Sequence, residues 1–394
     1  MKASTLAHWE HTIRPAMAFL PSDKVVKLYS KGRLNFLKKL KEEIPEETYI
    51  PPKSLERICW GIKFRSPIFN AAGMFKNGEC AELVYRQGAG AFLGGTTTWN
   101  PWLGNIGIVE EEPHIVRLSG IKGEKERLDY LKKGICLPFT PYPRSHSASN
   151  CLGLPNDGDE VNSQRAAEIK AKFDFPVGWS LMGSPDLQGE EKLEKLVRGM
   201  RLYERAGVDF LEINESCPNT QHGKPQDDDL ANRLRYVRTH FLDKRSRRLP
   251  VIVKFSNDTQ VEQVPALLDL LFELGFDGAN FGNTSTAYEA RKQAIDPKEH
   301  KHYDFFTKTF GGGVSGRPLK ESSLALVSKA EEHLRAGPPS QEFHIIRTGG
   351  IESARDISSW ESAGISLNQW YTGYFENFAH HGHDVYKELY KDLV

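Results

Sequence analysis

From residue 51 onward the chain repeats one pattern: a short apolar, β-rich run followed by a longer stretch whose apolar residues fall at helical spacing. The runs cover residues 66–70, 91–95, 177–182, 209–214, 251–255, 278–283, 344–347 and 369–371. Runs this short and this continuously apolar suit strands buried on both faces. Eight of them separated by crossover helices predict an α/β fold, a closed parallel (β/α)8 TIM barrel.

Residues 1–50 follow a different pattern. Leu6, Trp9, Ile13, Met17 and Leu20 recur every three or four residues, an apolar helical stripe broken at Pro15. A second amphipathic segment starts after Ser22, a candidate N-cap, and sets Val25, Leu28, Leu34, Leu37 and Leu40 among Lys24, Lys27, Lys31, Arg33, Lys38, Lys39 and Lys41. The pattern divides the chain into an amphipathic helical extension, 1–50, and a barrel, 51–394. Either the extension packs on the barrel with its lysines in solvent, or it rests on anionic lipid and admits a lipophilic partner. Residues 120–150 and 285–312 lack clean periodicity and are expected to be structureless lids.

Composition narrows the function classes. Lys plus Arg and Asp plus Glu number 52 each, so no global field favours nucleic acid. Five scattered cysteines with no CxxC pair argue against disulfides, zinc or iron–sulfur clusters, and for a reducing compartment. No apolar run approaches the roughly 20 residues of a membrane span, and the N-terminus carries no secretory core. Gly311, Gly313 and Gly316 spell GxGxxG but follow YDFFTKTF rather than an apolar strand, so a Rossmann site is rejected. His380, His381 and His383 match no zinc spacing and are expected in solvent.

In such a barrel the chemistry gathers where strands end. Here those ends are rich in amides: Asn150, Asn214, Asn219 and Asn283 together offer donors and acceptors to a planar ring of alternating C=O and N–H groups, as in a pyrimidine. Taken singly, each asparagine reads more readily as a turn residue. Cys217 follows the fourth run and precedes Pro218, where a thiolate could act as a base, although a small buried hydrophobe is the commoner fate of a free cysteine. Lys254 closes VIVKF and must emerge at the mouth or be paired, because a lone buried ammonium is costly. Lys76 emerges after the first run and could face an anion or plain solvent. The glycines of RTGG (347–350) and YTG (371–373) lie where barrels bind phosphate.

The segments AAGMFKNGE, NCLGLPN, NESCPNT, VIVKF, GNTS, GGGVSGRPLKESS, RTGG and YTG, in this order, resemble the dihydroorotate dehydrogenase family over essentially the whole chain from about residue 51. The resemblance implies FMN at the barrel mouth, contacted by Ala72, Gly73, Thr96, Ser180, Asn214, Lys254, Ser315, Gly316, Gly349, Gly350, Tyr371 and Thr372. Substrate contacts implied for dihydroorotate are Lys76, Asn150, Gly153, Leu154, Asn214, Asn219, Asn283 and Thr284. Ser180 stands where many members have asparagine, and Gly282 where some have threonine. Catalysis is implied for Cys217, taking the C5 proton, and for Lys254 beside the flavin, which takes the C6 hydride.

Two classes of that family are mixed here. Cys217 and NCLGLPN resemble the soluble class, which uses fumarate or NAD as acceptor. AAGMFKNGE, GGVSGRPLKESS and the N-terminal extension resemble the membrane-associated class, which reduces quinone, and these span more of the chain. The expectation is a cytoplasmic enzyme of pyrimidine biosynthesis touching the inner face of the cell membrane through residues 1–50. The alternatives are a fumarate or NAD acceptor, another FMN barrel acting on a dihydropyrimidine, and a flavin-binding relative without catalysis.

Overall fold

A computed structural model describes residues 1–109, 115–119, 129, 132, 135–215, 230–361 and 365–394. Its centre is an eight-stranded parallel sheet: β1 Ile68–Asn70, β2 Phe92–Thr97, β3 Val177–Leu181, β4 Phe210–Asn214, β5 Val251–Phe255, β6 Gly278–Phe281, β7 His344–Thr348 and β8 Leu367–Trp370. Neighbours in sequence are neighbours in the sheet, and β8 returns to β1. The seam between β1 and β2 is closed by a side chain. The Asn70 amide donates to the Leu93 carbonyl at 2.7 Å and accepts from the Leu93 N–H at 3.2 Å, imitating a strand partner. The expected (β/α)8 barrel is therefore present, with each run's ends within two residues of its strand's, where side-chain pattern and backbone pairing part company.

The two ends of the barrel are built differently. At the N-terminal end an antiparallel hairpin, Arg57–Cys59 and Ile62–Phe64, drives Trp60 and Phe64 onto Phe69, Phe210, Ile252 and Ile346. Trp60 Nε1 donates to the Asp277 carbonyl at 2.8 Å, which fixes this aromatic plug. The end is sealed by packing, and ligands are left to the opposite mouth.

Two stretches expected to be structureless are partly ordered. Phe139–Tyr142, Ser147–Asn150 and Gly313–Gly316 form an antiparallel sheet over the mouth, which also accounts for Gly311, Gly313 and Gly316 without a Rossmann unit. Residues 285–312 hold helices Tyr288–Lys292 and His300–Thr309. Tyr142, Ile295, Tyr303 and Val314 make a small core between these pieces. Tyr142 joins it from a distant segment, and the other three sit on different pieces of the 285–316 stretch, so no local periodicity could reveal it. Residues 120–128 lie outside the described residues.

The N-terminal residues form α1, Ala3–Ile13, a 3-10 turn through Pro15, and α2, Ser22–Glu42. Ser22 is not the cap expected of it: its hydroxyl lies 2.9 Å from His302 Nδ1, and Pro21 precedes the helix. Ala3, Ala7, Val25, Val26 and Leu40 are buried, whereas Trp9, Ile13, Phe19 and Leu28 are more than half exposed. His380 and His381 are exposed as expected, but His383 is not free in solvent, since its Nε2 pairs with Glu43 at 2.9 Å.

One buried carboxyl makes the fold sensitive to pH. Asp159 opens helix Asp159–Lys172 behind β2 and β3, and burial pushes its carboxyl up to about 7 despite hydrogen bonds from Thr97 and the Tyr203 hydroxyl. An unfolded aspartate titrates near about 3.9. Stability from the protonated form is therefore complete below that value and is lost as pH rises through about 7. Asp159→Asn should flatten the stability profile between pH 5 and 8 and add roughly 3–4 kcal/mol at the alkaline end. Denaturant melts across this range measure it, and an unchanged slope would refute it.

Candidate active site

The C-terminal mouth opens into a cavity of about 600 Å³, which runs from the strand ends to the space between α1 and α2. All the residues expected to contact cofactor or substrate line it except three. Ser180 is fully buried one layer back, with its hydroxyl 3.0 Å from that of Thr96. Cys217 and Asn219 lie outside the described residues.

One wall is the glycine cradle. Gly349 and Gly350 after β7 have φ of +112° and +71°, and a Cβ on Gly350 would collide with the Lys320 backbone. The Ser323 hydroxyl donates to the Gly349 carbonyl at 2.9 Å, which holds the turn. Beside it begins helix Thr372–His381, whose first turn has no side-chain cap. The Thr372 hydroxyl donates to Ser315 Oγ at 3.0 Å and joins this helix to the covering sheet. Loop N–H groups and a helix N-terminus meeting at one point suit a phosphate.

The opposite wall carries amides. Asn283 donates to Asn214 Oδ1 at 3.3 Å, and Asn214 donates to Thr96 Oγ1 at 2.9 Å, so the ends of β6, β4 and β2 are tied together. Asp258 accepts from the Ser285 hydroxyl and the Thr286 N–H, and thereby anchors the loop that presents Asn283 and Thr284. Thr284 Oγ1 is buried with no hydrogen-bond partner among the described residues, as expected of a group kept for a ligand. Lys76, 8 % exposed, and Asn150 complete this side.

At the floor Lys254 Nζ lies 3.0 Å from Gln369 Oε1 and 3.5 Å from Glu212 Oε1. Burial pushes the Lys254 ammonium down, and Glu212 offsets only part of that. Glu212 Oε2 in turn accepts from Asn280 and Gln369, each at 2.8 Å. Sequence reading passed over Glu212, Asn280 and Gln369. Their signal is a polar residue inside each of the strands FLEIN, GANF and LNQW, where a purely structural barrel would be branched and apolar.

Towards α1 and α2 the cavity turns apolar, with Leu6, Trp9, Ile13, Phe36 and Leu37 in its walls. One charged cluster interrupts it. Arg14 donates through Nε and Nη2 to Glu10 and through Nη1 to Glu376 at 2.6 Å, and the Tyr29 hydroxyl donates to Glu10 at 2.7 Å. Burial opposes the charge on Arg14, but the two carboxylates outweigh it and hold the guanidinium above its usual value.

This is the layout of a (β/α)8 barrel whose mouth joins a glycine cradle, a polar floor and an apolar annex. Residues 54–120 and 142–393 match the pattern of the family described as dihydroorotate dehydrogenase, and the chain belongs to that family. Among curated proteins, one named dihydroorotate dehydrogenase (quinone) from Vibrio parahaemolyticus is 28% identical over 354 residues, 87% of this chain and 88% of its own. Another of the same name, from Photobacterium profundum, is 28% identical over 88% of this chain and 87% of its own. The crystal structure of ligand-free DHODH from Eimeria tenella superposes with a TM-score of 0.70 at 22% identity, covering 93% of each chain. That of the same organism's DHODH in complex with ferulenol gives 0.68 at 21%, covering 94% of this chain and 89% of that one.

Proposed function

We propose that this protein oxidises dihydroorotate to orotate, for pyrimidine synthesis, using bound FMN, and passes the electrons to a quinone. The observation that carries the reading is the single cavity joining the glycine cradle, the amide wall and Lys254 to the apolar annex between α1 and α2. The name shared by the curated relatives, dihydroorotate dehydrogenase (quinone), supports the acceptor.

FMN fits the residues present. The Gly349–Gly350 turn, Gly316 and the first turn of helix Thr372–His381 offer N–H groups to its phosphate. Ala72, Gly73, Thr96, Asn214, Lys254, Ser315 and Tyr371 surround the space left for the ring, with Ser180 supporting Thr96. When bound, the flavin supplies the hydride acceptor. The chain does the rest. Lys76 meets the substrate carboxylate, and Asn150, Asn214, Asn219, Asn283, Thr284 and the Gly153–Leu154 backbone hold the ring amides. Cys217 takes the C5 proton, and Lys254 offsets negative charge at the floor.

The division into an extension, 1–50, and a catalytic barrel, 51–394, follows from the same reading. Among the described residues no helix is long and apolar enough to cross a membrane. Trp9, Ile13 and Leu28 border the annex and are exposed, as are Phe19, Leu20 and Leu34 on the extension that also carries the lysines of α2. This surface suits peripheral contact with the inner face of the cell membrane, where a lipophilic quinone is held.

Turnover of dihydroorotate with a short-chain quinone, and none with fumarate or NAD, is the expected assay result. The reverse preference would overturn the acceptor. Gly32, exposed on α2 at the annex, has open space where a Cβ would stand. Gly32→Phe should therefore fold and narrow the entry. It should raise the quinone KM about tenfold, the scale of one obstructed pocket contact, while the rate of flavin bleaching by dihydroorotate stays unchanged. Loss of both together would contradict an entry at this point.

A further inference from the structure

Glu212 is the group this mechanism does not use. It is fully buried inside the barrel, two residues before Asn214 on β4 and so on the same face. Register pairs Asn214 with Lys254 on β5, which brings the carboxylate beneath the lysine rather than beside the substrate wall. Its Oε2 is held by the amides of Asn280 and Gln369. Its Oε1 has no hydrogen bond among the described residues and lies 3.5 Å from Lys254 Nζ. The Thr348 hydroxyl, 2.9 Å from Asn280 Oδ1 and 3.1 Å from Gln369 Oε1, braces both amides. Three strands, β6, β7 and β8, thus contribute side chains that fix the β4 carboxylate behind the β5 ammonium.

An apolar side chain at 212 would satisfy barrel packing without desolvating a charge. The carboxylate changes what Lys254 presents to the cavity. With Glu212 behind it, the pair is close to neutral and acts on the mouth as a dipole. Without Glu212, the Lys254 ammonium would have no carboxylate behind it, and whatever charge it keeps against burial would face the ligand uncompensated.

We propose that Glu212 is a positioning residue that sets the charge Lys254 presents to bound flavin and so holds the flavin's reduction potential down, favouring onward transfer to the acceptor. This rests on the FMN reading above. Reduced flavin carries negative charge on its ring, so a compensated lysine stabilises the reduced form less than an uncompensated one.

The test is the midpoint potential of flavin-loaded Glu212→Gln, measured by equilibration with reference dyes, together with its affinity for sulfite. Sulfite donates its lone pair to the flavin N5 and leaves negative charge on the ring, so it reports the same field without turnover. Glutamine keeps an acceptor for Asn280 and Gln369 and removes the charge, with an uncharged NH2 in the place of the oxygen that faces Lys254. The expected result is a reduction equilibrium at least tenfold more favourable, a rise of about 30 mV for a two-electron couple, and sulfite binding tighter by a similar factor. In a Lys254→Met background the same substitution should shift both readouts much less.

Unchanged potential and sulfite affinity in Glu212→Gln would overturn the proposal, as would a shift of full size without Lys254. Glu212→Leu, which removes the charge with an apolar side chain, must move both readouts in the same direction. If neither variant retains flavin, Glu212 is a structural residue and the proposal fails. Wild-type protein that binds no FMN would instead remove the functional reading beneath it.

Discussion

Lys254→Met should lower the rate at which dihydroorotate bleaches the flavin by roughly 10²–10³-fold, the usual cost of one preorganised charge at a reacting centre. Lys254 is 2 % exposed at the floor of the cavity, with Gln369 and Glu212 holding its ammonium in place. Methionine fills the volume of the stem and removes the charge together with the hydrogen bond to Gln369. The substitution also strands Glu212 as a buried carboxylate without its cation, which costs about 3–5 kcal/mol when one member of a buried pair is deleted. The single variant should therefore melt earlier. Adding Glu212→Gln should restore most of the stability and none of the rate. Rapid mixing and a thermal melt separate the two effects, and a rate recovered along with stability would show that Lys254 serves only the fold.

Cys217→Ala should slow the same bleaching by roughly 10²–10⁴-fold, the range for loss of a positioned base, while orotate still perturbs the flavin spectrum. Cys217→Ser distinguishes a base from a bystander. A thiol titrates near about 8.5 when unperturbed, and a hydroxyl loses its proton far less readily. Activity rises with pH as the base deprotonates, so the wild-type profile should lie at lower pH than that of the serine variant. Superimposable profiles would remove Cys217 from the role of base.

The barrel was legible because its signal is local. Strands buried on both faces must be apolar along their length, and VIVKF or VGWSL can be read without knowing what they pack against. The Asn70 seam, the Trp60 plug and the covering sheet over residues 139–150 and 313–316 were not legible, because each joins segments far apart in the chain. The site divided along the same line. Asparagines and glycines at strand ends stand out against apolar runs, and Asn150, Asn214 and Asn283 do line one cavity with Gly349 and Gly350. Glu212, Asn280 and Gln369 were overlooked because each is a single polar letter inside a strand. Their meaning appears only when barrel closure brings Glu212 and Gln369 to Lys254 and sets Asn280 against Glu212. The Arg14 cluster escaped for a related reason: Glu376 is hundreds of residues from Glu10, and charges on an amphipathic helix ordinarily face water.

The most direct measurement is anaerobic absorbance of the purified protein mixed with dihydroorotate and then with a short-chain quinone. A flavin spectrum that bleaches with substrate and returns with quinone, but not with fumarate or NAD, is the predicted result. A flavin that dihydroorotate leaves oxidised would contradict the proposed reaction itself.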